Sequence, residues 1–314
     1  MNKLNITHLV ISGGGMHGVI FVGALRYIYL ENLHKNITHI SATSIGSYIG
    51  LMIAFKYNMD EIETIMYECF NNPGINHIPK KNYYKLITEL GLCSSSCIID
   101  NLKDILRKKH DNIEEITFKD LTKRFGVNMY ISTTNINRCE NTIFSIETTP
   151  DVSVFKACEA SMSIPFLCKP VYINGEYYYD GALSNNFPIK VFENISQENI
   201  LGMMLYNKNN DVVSNMNVDK ISIFVIIKQM LHMMNSLRLK EAILRQVNEK
   251  DLDNYYIPDT ILLQNFMSYK INKNGIYMDI TEDQINEMIY SGFNSMYNYI
   301  QTRLKNVEKN QQYR

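Results

Sequence analysis

THLVISGGGMHGVIFVGAL (residues 7–25) and ITHISATSIGSYIGLMIAF (residues 37–55) follow one local plan. Each opens on a short β-branched run, turns through small residues, and continues as a long apolar stretch. Thr7–Ser12 and Ile37–Thr43 read as buried strands. Helices are expected from about Gly18 to Leu33 and over Ile45–Phe55. Strand–turn–helix twice in succession predicts a parallel sheet covered by helices.

Outward from this pair the pattern is less even. Residues Asn71–Ser96 contain Pro73, Gly74, Pro79 and the run Ser94-Ser95-Ser96, and read as a loop, cap or lid. Helical patterns return at Asn101–Lys109 and Phe118–Phe125. Val127–Thr133 and Thr142–Glu147 read as strands, and Asp151 as the cap of a helix through Ala160 that stops before Pro165. Strands are expected near Val171–Ile173 and Tyr177–Tyr179, with Asp180-Gly181-Ala182 as a turn. Ile200–Leu205 and Thr260–Leu263 read as buried strands, Asp219–Asn248 and Thr281–Val307 as mostly helix. There is no internal repeat and no clear linker, so one domain is expected, with residues 211–314 completing a core formed by 1–210.

The 314 residues carry a net charge of −1 and a sequence pI near 6.7, which speaks against a nucleic-acid binder. A hydrophobic fraction of 46% with 20% charged residues suits a soluble chain with a sizeable core. The apolar N-terminus runs straight into Gly13-Gly14-Gly15, so no signal peptide is expected. The longest apolar runs, Gly18–Leu30 and Ile221–Met234, fall short of the roughly 18–20 residues that span a bilayer. The expected location is cytoplasmic, or peripheral at membranes. Of six cysteines only Cys93 and Cys97 are close, with no ligand-spaced partners, and they read as reduced thiols rather than a metal site.

Three motifs carry chemistry. Gly13-Gly14-Gly15-Met16-His17-Gly18 fits G-x-G-x-x-G between strand and helix, but a dinucleotide site would want an acidic residue ending the second strand. That strand ends Ser41-Ala42-Thr43-Ser44. The same glycines suit an oxyanion hole, with N–H groups at the positive end of a helix, or a plain tight turn. Ser44, between Ala42-Thr43 and Ile45-Gly46, suits either a helix cap or an exposed nucleophile at a sharp elbow. Asp180-Gly181 is either an ordinary turn or the carboxylate that takes the serine proton. The histidine after it, His232, lies in a Met-rich helical stretch, so direct Ser–Asp pairing is more economical than a triad.

In this order the motifs resemble the patatin-like phospholipases, serine lipid acyl hydrolases with a Ser–Asp dyad. Ala157-Cys158-Glu159-Ala160-Ser161-Met162-Ser163-Ile164-Pro165 is similar to the family's A-x-x-A-S-x-A-I-P, and Asn186-Phe187-Pro188 to the N-x-P after its D-G-[GA]. The resemblance runs from about Thr7 to Pro188. It implies a three-layer α/β/α fold with a central, mostly parallel sheet. It further implies Ser44 as nucleophile, Asp180 as general base, and an oxyanion hole from the amides of Gly14, Gly15 and Met16, with Gly181 and Ala182 completing the Asp-Gly motif. No cofactor or metal serves the chemistry it implies, and the expected substrate is a phospholipid or other acyl-ester lipid. The alternatives are a carboxylesterase or lysophospholipase acting on soluble substrates, and a non-catalytic lipid-binding protein of the same fold. Ala42 stands where the family has Gly, and His17 where it has Arg or Lys. His17 is therefore expected to make charge stabilisation at the site depend on pH. Candidate lipid contacts are Asn71–Ser96, the stretch with Met230, Met233 and Met234, and the basic runs Lys80-Lys81 and Arg107-Lys108-Lys109.

Overall fold

A computed structural model describes residues 4–71, 77–79, 85–206, 260–264, 269–272, 275–278 and 281–312. The two strand–turn–helix units lie at its centre. Strand β1 (His8–Ile11) leads through a 3₁₀ turn (Gly15–Gly18) into α1 (Val19–Leu30), and β2 (His39–Thr43) leads directly into α2 (Ile45–Ala54). There follow α3 (Met59–Asn71), β3 (His77–Pro79), α4 (Lys85–Thr88), β4 (Gly91–Cys93), α5 (Ser96–Arg107) and α6 (Phe118–Phe125). The middle of the chain supplies β5 (Asn128–Asn135), β6 (Glu140–Phe144), α7 (Val154–Ser161), β7 (Phe166–Cys168), β8 (Val171–Ile173) and β9 (Glu176–Asp180). After β10 (Ile200–Tyr206) come β11 (Thr260–Gln264), β12 (Tyr269–Asn272), β13 (Gly275–Met278) and the long α8 (Glu282–Gln312).

The central sheet runs β11-β10-β1-β2-β5-β9-β8, with β6 also on β5. The links from β11 to β5 are parallel; β6, β8 and β9 are antiparallel. One consequence of register positions the site. Strand β2 pairs Asn128–Ser132 of β5, β9 pairs Thr133–Asn135, and β6 overlaps both along Ile131–Asn135. Since a strand has two edges, β6 takes one of them, and β2 and β9 meet end to end along the other. Thr43 lies opposite Ser132 and Asp180 opposite Thr133. The hairpin β8–β9, closed by the two-residue turn Asn174-Gly175 with both φ angles positive, continues the sheet past the carboxyl ends of β1 and β2.

Alternation along the strands sorts the core. Leu9, Ile11, Ile40, Ala42, Met129 and Ile131 face the α-helices, while Val10 and Tyr130 face the opposite layer of Phe187, Phe192 and the 3₁₀ turn Ile189–Phe192. Helix α8 covers α1: Tyr27 meets Phe293 and Tyr297 edge-on, at 5.6 Å between ring centroids in each case. Gln301 donates to the Tyr27 hydroxyl, and Arg303 donates to the carbonyls of Gln197, Glu198 and Ile200 just before and at the start of β10.

Several boundaries differ from expectation for local reasons. The first long helix ends at Leu30, because Asn32 turns left-handed (φ 58°) ahead of a separate 3₁₀ turn. Helix α5 starts at Ser96, five residues before the predicted start: Ser95, within the serine run, is buried against Ser163 rather than in an exposed loop. Strand β6 stops at Phe144 because Ser145 Oγ accepts from the amides of Glu147 and Thr148 and turns the chain. Ser153, not Asp151, precedes α7. Strands β4 and β7, three residues each, lie beneath any periodic signal. No helix among the described residues is long and apolar enough to cross a membrane. The stretch expected as helix over Asp219–Asn248, with Met230, His232, Met233 and Met234, and the pair Lys80-Lys81 lie outside the described residues.

Arg303 ties α8 to the sheet through three carbonyls. Arg303→Ala should lower the unfolding free energy by about 2 kcal/mol, since hydrogen bonds from a charged donor are lost, read as a urea-midpoint shift at constant m-value. An unchanged midpoint would show the contact to be idle.

Candidate active site

At the end of β2 the chain reverses sharply into α2, and Ser44 takes the corner with φ 53° and ψ −129°. For a residue with a Cβ this conformation is strained, by order of 1–3 kcal/mol. A corner this tight brings helix and strand into contact, and Gly46 permits it: a Cβ there would lie 2.6 Å from the carbonyl oxygens of Ile11 and Ser12. The methyl of Ala42, by contrast, sits fully buried in the core one turn of the pleat away. Ser44 occupies the N-cap position of α2 without capping it with its side chain. Its Oγ instead donates to Asp180 Oδ2 at 2.6 Å.

Two hydroxyls hold this corner. The Ser44 amide donates to Ser161 Oγ at 2.8 Å, and Ser161 donates in turn to the Ser132 carbonyl at 2.6 Å. Ser47 Oγ donates to the Ser44 carbonyl at 2.6 Å. Ser161 ends α7 and is completely buried. It lies within Ala157–Pro165, but the sequence alone gives it no role, because the amide it accepts from is 117 residues away.

Asp180 is fixed from three sides. Its amide donates to the Ser163 carbonyl, its own carbonyl accepts from Thr134 Oγ1, and Oδ1 accepts from the Ala182 amide at 2.8 Å. The residue is 4% exposed. Burial pushes its pKa up to about 7, and the hydrogen bonds from Ser44 and Ala182 offset only part of that rise.

The glycine motif lies beside the corner. Gly15 is left-handed (φ 55°) and opens the turn Gly15–Gly18, whose first N–H groups have no intrahelical acceptor. Met16 and Gly18 are buried, whereas Gly14 and Gly15 are partly open. His17 folds back on its own turn, with Nδ1 2.9 Å from the Gly14 carbonyl. The segment after the Asp-Gly motif laces the strand ends together. The Asn185 carbonyl accepts from Thr43 and Ser132, the Asn186 carbonyl from the Gly13 amide, and the Pro188 carbonyl from Ser41. Asn186 Oδ1 is buried with no hydrogen-bond partner among the described residues and faces Gly13, where a Cβ would meet it at 2.5 Å and Ser44 Cβ at 3.0 Å.

The three motifs thus meet at Ser44, with Gly13 against its Cβ and Asp180 on its hydroxyl. Chemically the hydroxyl of Ser44 can lose its proton to the buried carboxyl that accepts its hydrogen bond. The other motif considered, Cys93 and Cys97, does not form a cluster: Cys93 lies opposite Cys168 in the β4–β7 ladder, their sulfurs 3.6 Å apart. Among the described residues no group of three or more His, Cys, Asp or Glu is placed to hold a metal ion.

Residues 9–193 match the patatin-like phospholipase family. Uncharacterized protein R571 of Acanthamoeba polyphaga mimivirus is 34% identical over 213 residues, covering 67% of this chain and 70% of that one. Probable lipid hydrolase 463L of Invertebrate iridescent virus 6 is 31% identical over 224 residues, 71% of this chain and 72% of that one. In three dimensions the fold is similar to VipD from Legionella pneumophila, with a TM-score of 0.58 and 16% identity over 95% of this chain and 67% of that chain. With a family match across more than half its length and relatives of this similarity, the chain belongs to the patatin-like phospholipases.

Proposed function

We propose that the chain is a lipid acyl hydrolase of the phospholipase A type, working through an acyl-Ser44 intermediate with Asp180 as general base. The observation that carries this reading is the 2.6 Å hydrogen bond from a strained, corner-held Ser44 to a buried carboxylate. A helix cap would have turned its oxygen toward the α2 amides.

In the proposed reaction Asp180 takes the Ser44 proton as Oγ attacks the ester carbonyl. The negative charge that develops on the carbonyl oxygen is met by the amides of Gly14, Gly15 and Met16. Asp180 then passes its proton to the departing alkoxide, leaving the acyl-serine. In the second half Asp180 accepts a proton from water, whose oxygen attacks the acyl carbonyl, and returns it to Ser44 as the fatty acid leaves. A carboxyl raised to about 7 is a stronger base than an ordinary aspartate, and a closer match to neutral pH. His17, bonded to the Gly14 carbonyl, serves here by shaping the turn that presents the amides.

Ser44→Ala and Asp180→Asn should each lower kcat/KM on a p-nitrophenyl ester by about 10³-fold or more. Retained turnover in both proteins would end the assignment. Because the ionised form of Asp180 is the active one, kcat/KM should climb about tenfold per pH unit below 7 and level off above it.

The same group sets a stability test. Asp180 keeps its proton to about pH 7 when folded but only to about pH 4 when unfolded. The folded state therefore holds more protons between those values, and stability falls as pH rises through them. Asp180→Asn removes that penalty, so its melting temperature relative to wild type should be higher at pH 8 than at pH 4. Equal differences at both pH values would contradict the buried ionisation.

Ser161→Ala leaves a buried amide and a buried carbonyl without their shared partner. The expected loss is about 1–3 kcal/mol of stability, together with a drop in kcat larger than any change in KM. A variant with full kcat would show that Ser161 does not hold the corner.

A further inference from the structure

The hairpin β8–β9 and the β4–β7 ladder place exposed apolar side chains on one side of the dyad. Of the nine large hydrophobic residues exposed among the described residues, five lie here: Leu90, Ile136, Phe166, Tyr172 and Tyr177. Direct contacts link the segments that bear them. Gly91, next to Leu90, pairs with Phe166, and Tyr179 donates to the Leu90 carbonyl. The Ile136 amide donates to the Tyr177 carbonyl, and the Tyr172 and Tyr177 rings stand 5.0 Å apart. Leu90 and Phe166 are also left-handed (φ 59° and 66°), so the backbone is strained where it presents them to water.

Topology puts this rim at the catalytic end of the sheet. Asp180 lies opposite Thr133 and Tyr178 opposite Asn135, so Tyr177, Tyr172 and Ile136 stand beyond the dyad, past the carboxyl ends of β1 and β2. Phe166 follows Ser163, whose carbonyl binds the Asp180 amide, by three residues. Among the described residues, Arg138 on these segments pairs with Glu176 and Glu140, and Lys169 with Glu89.

We infer that this rim is the surface by which the protein rests on a zwitterionic phospholipid interface, which delivers the acyl chain to Ser44. The inference rests on the acyl-ester reading of the dyad. Aromatic side chains with a polar tip suit the head-group level, and leucine and phenylalanine suit the acyl boundary. Paired charges fit a surface of no net charge. A nucleic acid or an anionic partner would call for unpaired cations.

The test is flotation with phosphatidylcholine vesicles, carried out in the Ser44→Ala protein so that binding is read without turnover. Leu90→Asn with Phe166→Asn is the informative pair, because asparagine tolerates a left-handed backbone. Tyr172→Ser with Tyr177→Ser is the second pair, and equal urea midpoints confirm that both variants fold. The expected loss of partitioning is roughly tenfold for each half-exposed side chain removed from the interface. The ratio of vesicle to soluble-ester turnover in the corresponding Ser44 proteins should fall in parallel, with little effect of salt.

Equal flotation of parent and both variants overturns the proposal. So does a dimer in lipid-free solution that the substitutions dissociate, which would assign the rim to a second copy of the chain. Neither result touches the dyad reading, which stands or falls on the soluble-ester turnover of Ser44→Ala and Asp180→Asn.

Discussion

The upper edge of β5 holds two strands end to end, and the Ser44–Asp180 hydrogen bond exists because they meet there. A parallel strand delivers a residue at its carboxyl end, which places Ser44 at the mouth of the sheet. The carboxylate comes from the opposite direction, on an antiparallel strand aimed back at that mouth. Consecutive residues of β5, Ser132 and Thr133, set the spacing between them. The approach of Ser44 to Asp180 is thus set largely by a backbone ladder.

That arrangement is costly on both sides. Ser44 sits in a strained backbone conformation, and Asp180 is buried where ionisation is disfavoured. Hydroxyl and carbonyl groups around the site offset these costs. Ser161 and Ser47 hold the corner, while carbonyls of residues 185–188 tie the ends of β1, β2 and β5 to one passing segment. Such groups stabilise geometry without adding a fixed charge.

Much of this could be read from residue order. Long apolar helices behind β-branched runs announce themselves by period, and the residue types at 44 and 180 name the chemistry they can perform. Contacts that depend on remote register were out of reach. Nothing local marks Ser161 as the acceptor for the Ser44 amide, or Ser95 as buried, because each finds its partner across more than 60 intervening residues. Strands β4 and β7 escaped notice because three residues carry no period. Helix α5 was placed too late because its serine-rich start reads locally as loop, whereas tertiary packing makes it core.

Strand β9 is also a constraint on how the gene can change. Its side chains alternate: Tyr178 and Asp180 point into the protein, while Tyr177 and Tyr179 are more open to solvent. A substitution at an outward position alters one side chain. Gain or loss of a single codon between the Asn174-Gly175 turn and Asp180 would exchange the two sets, turning the carboxyl away from Ser44 and driving a tyrosine towards the core. Relatives should therefore hardly vary in the length of this hairpin.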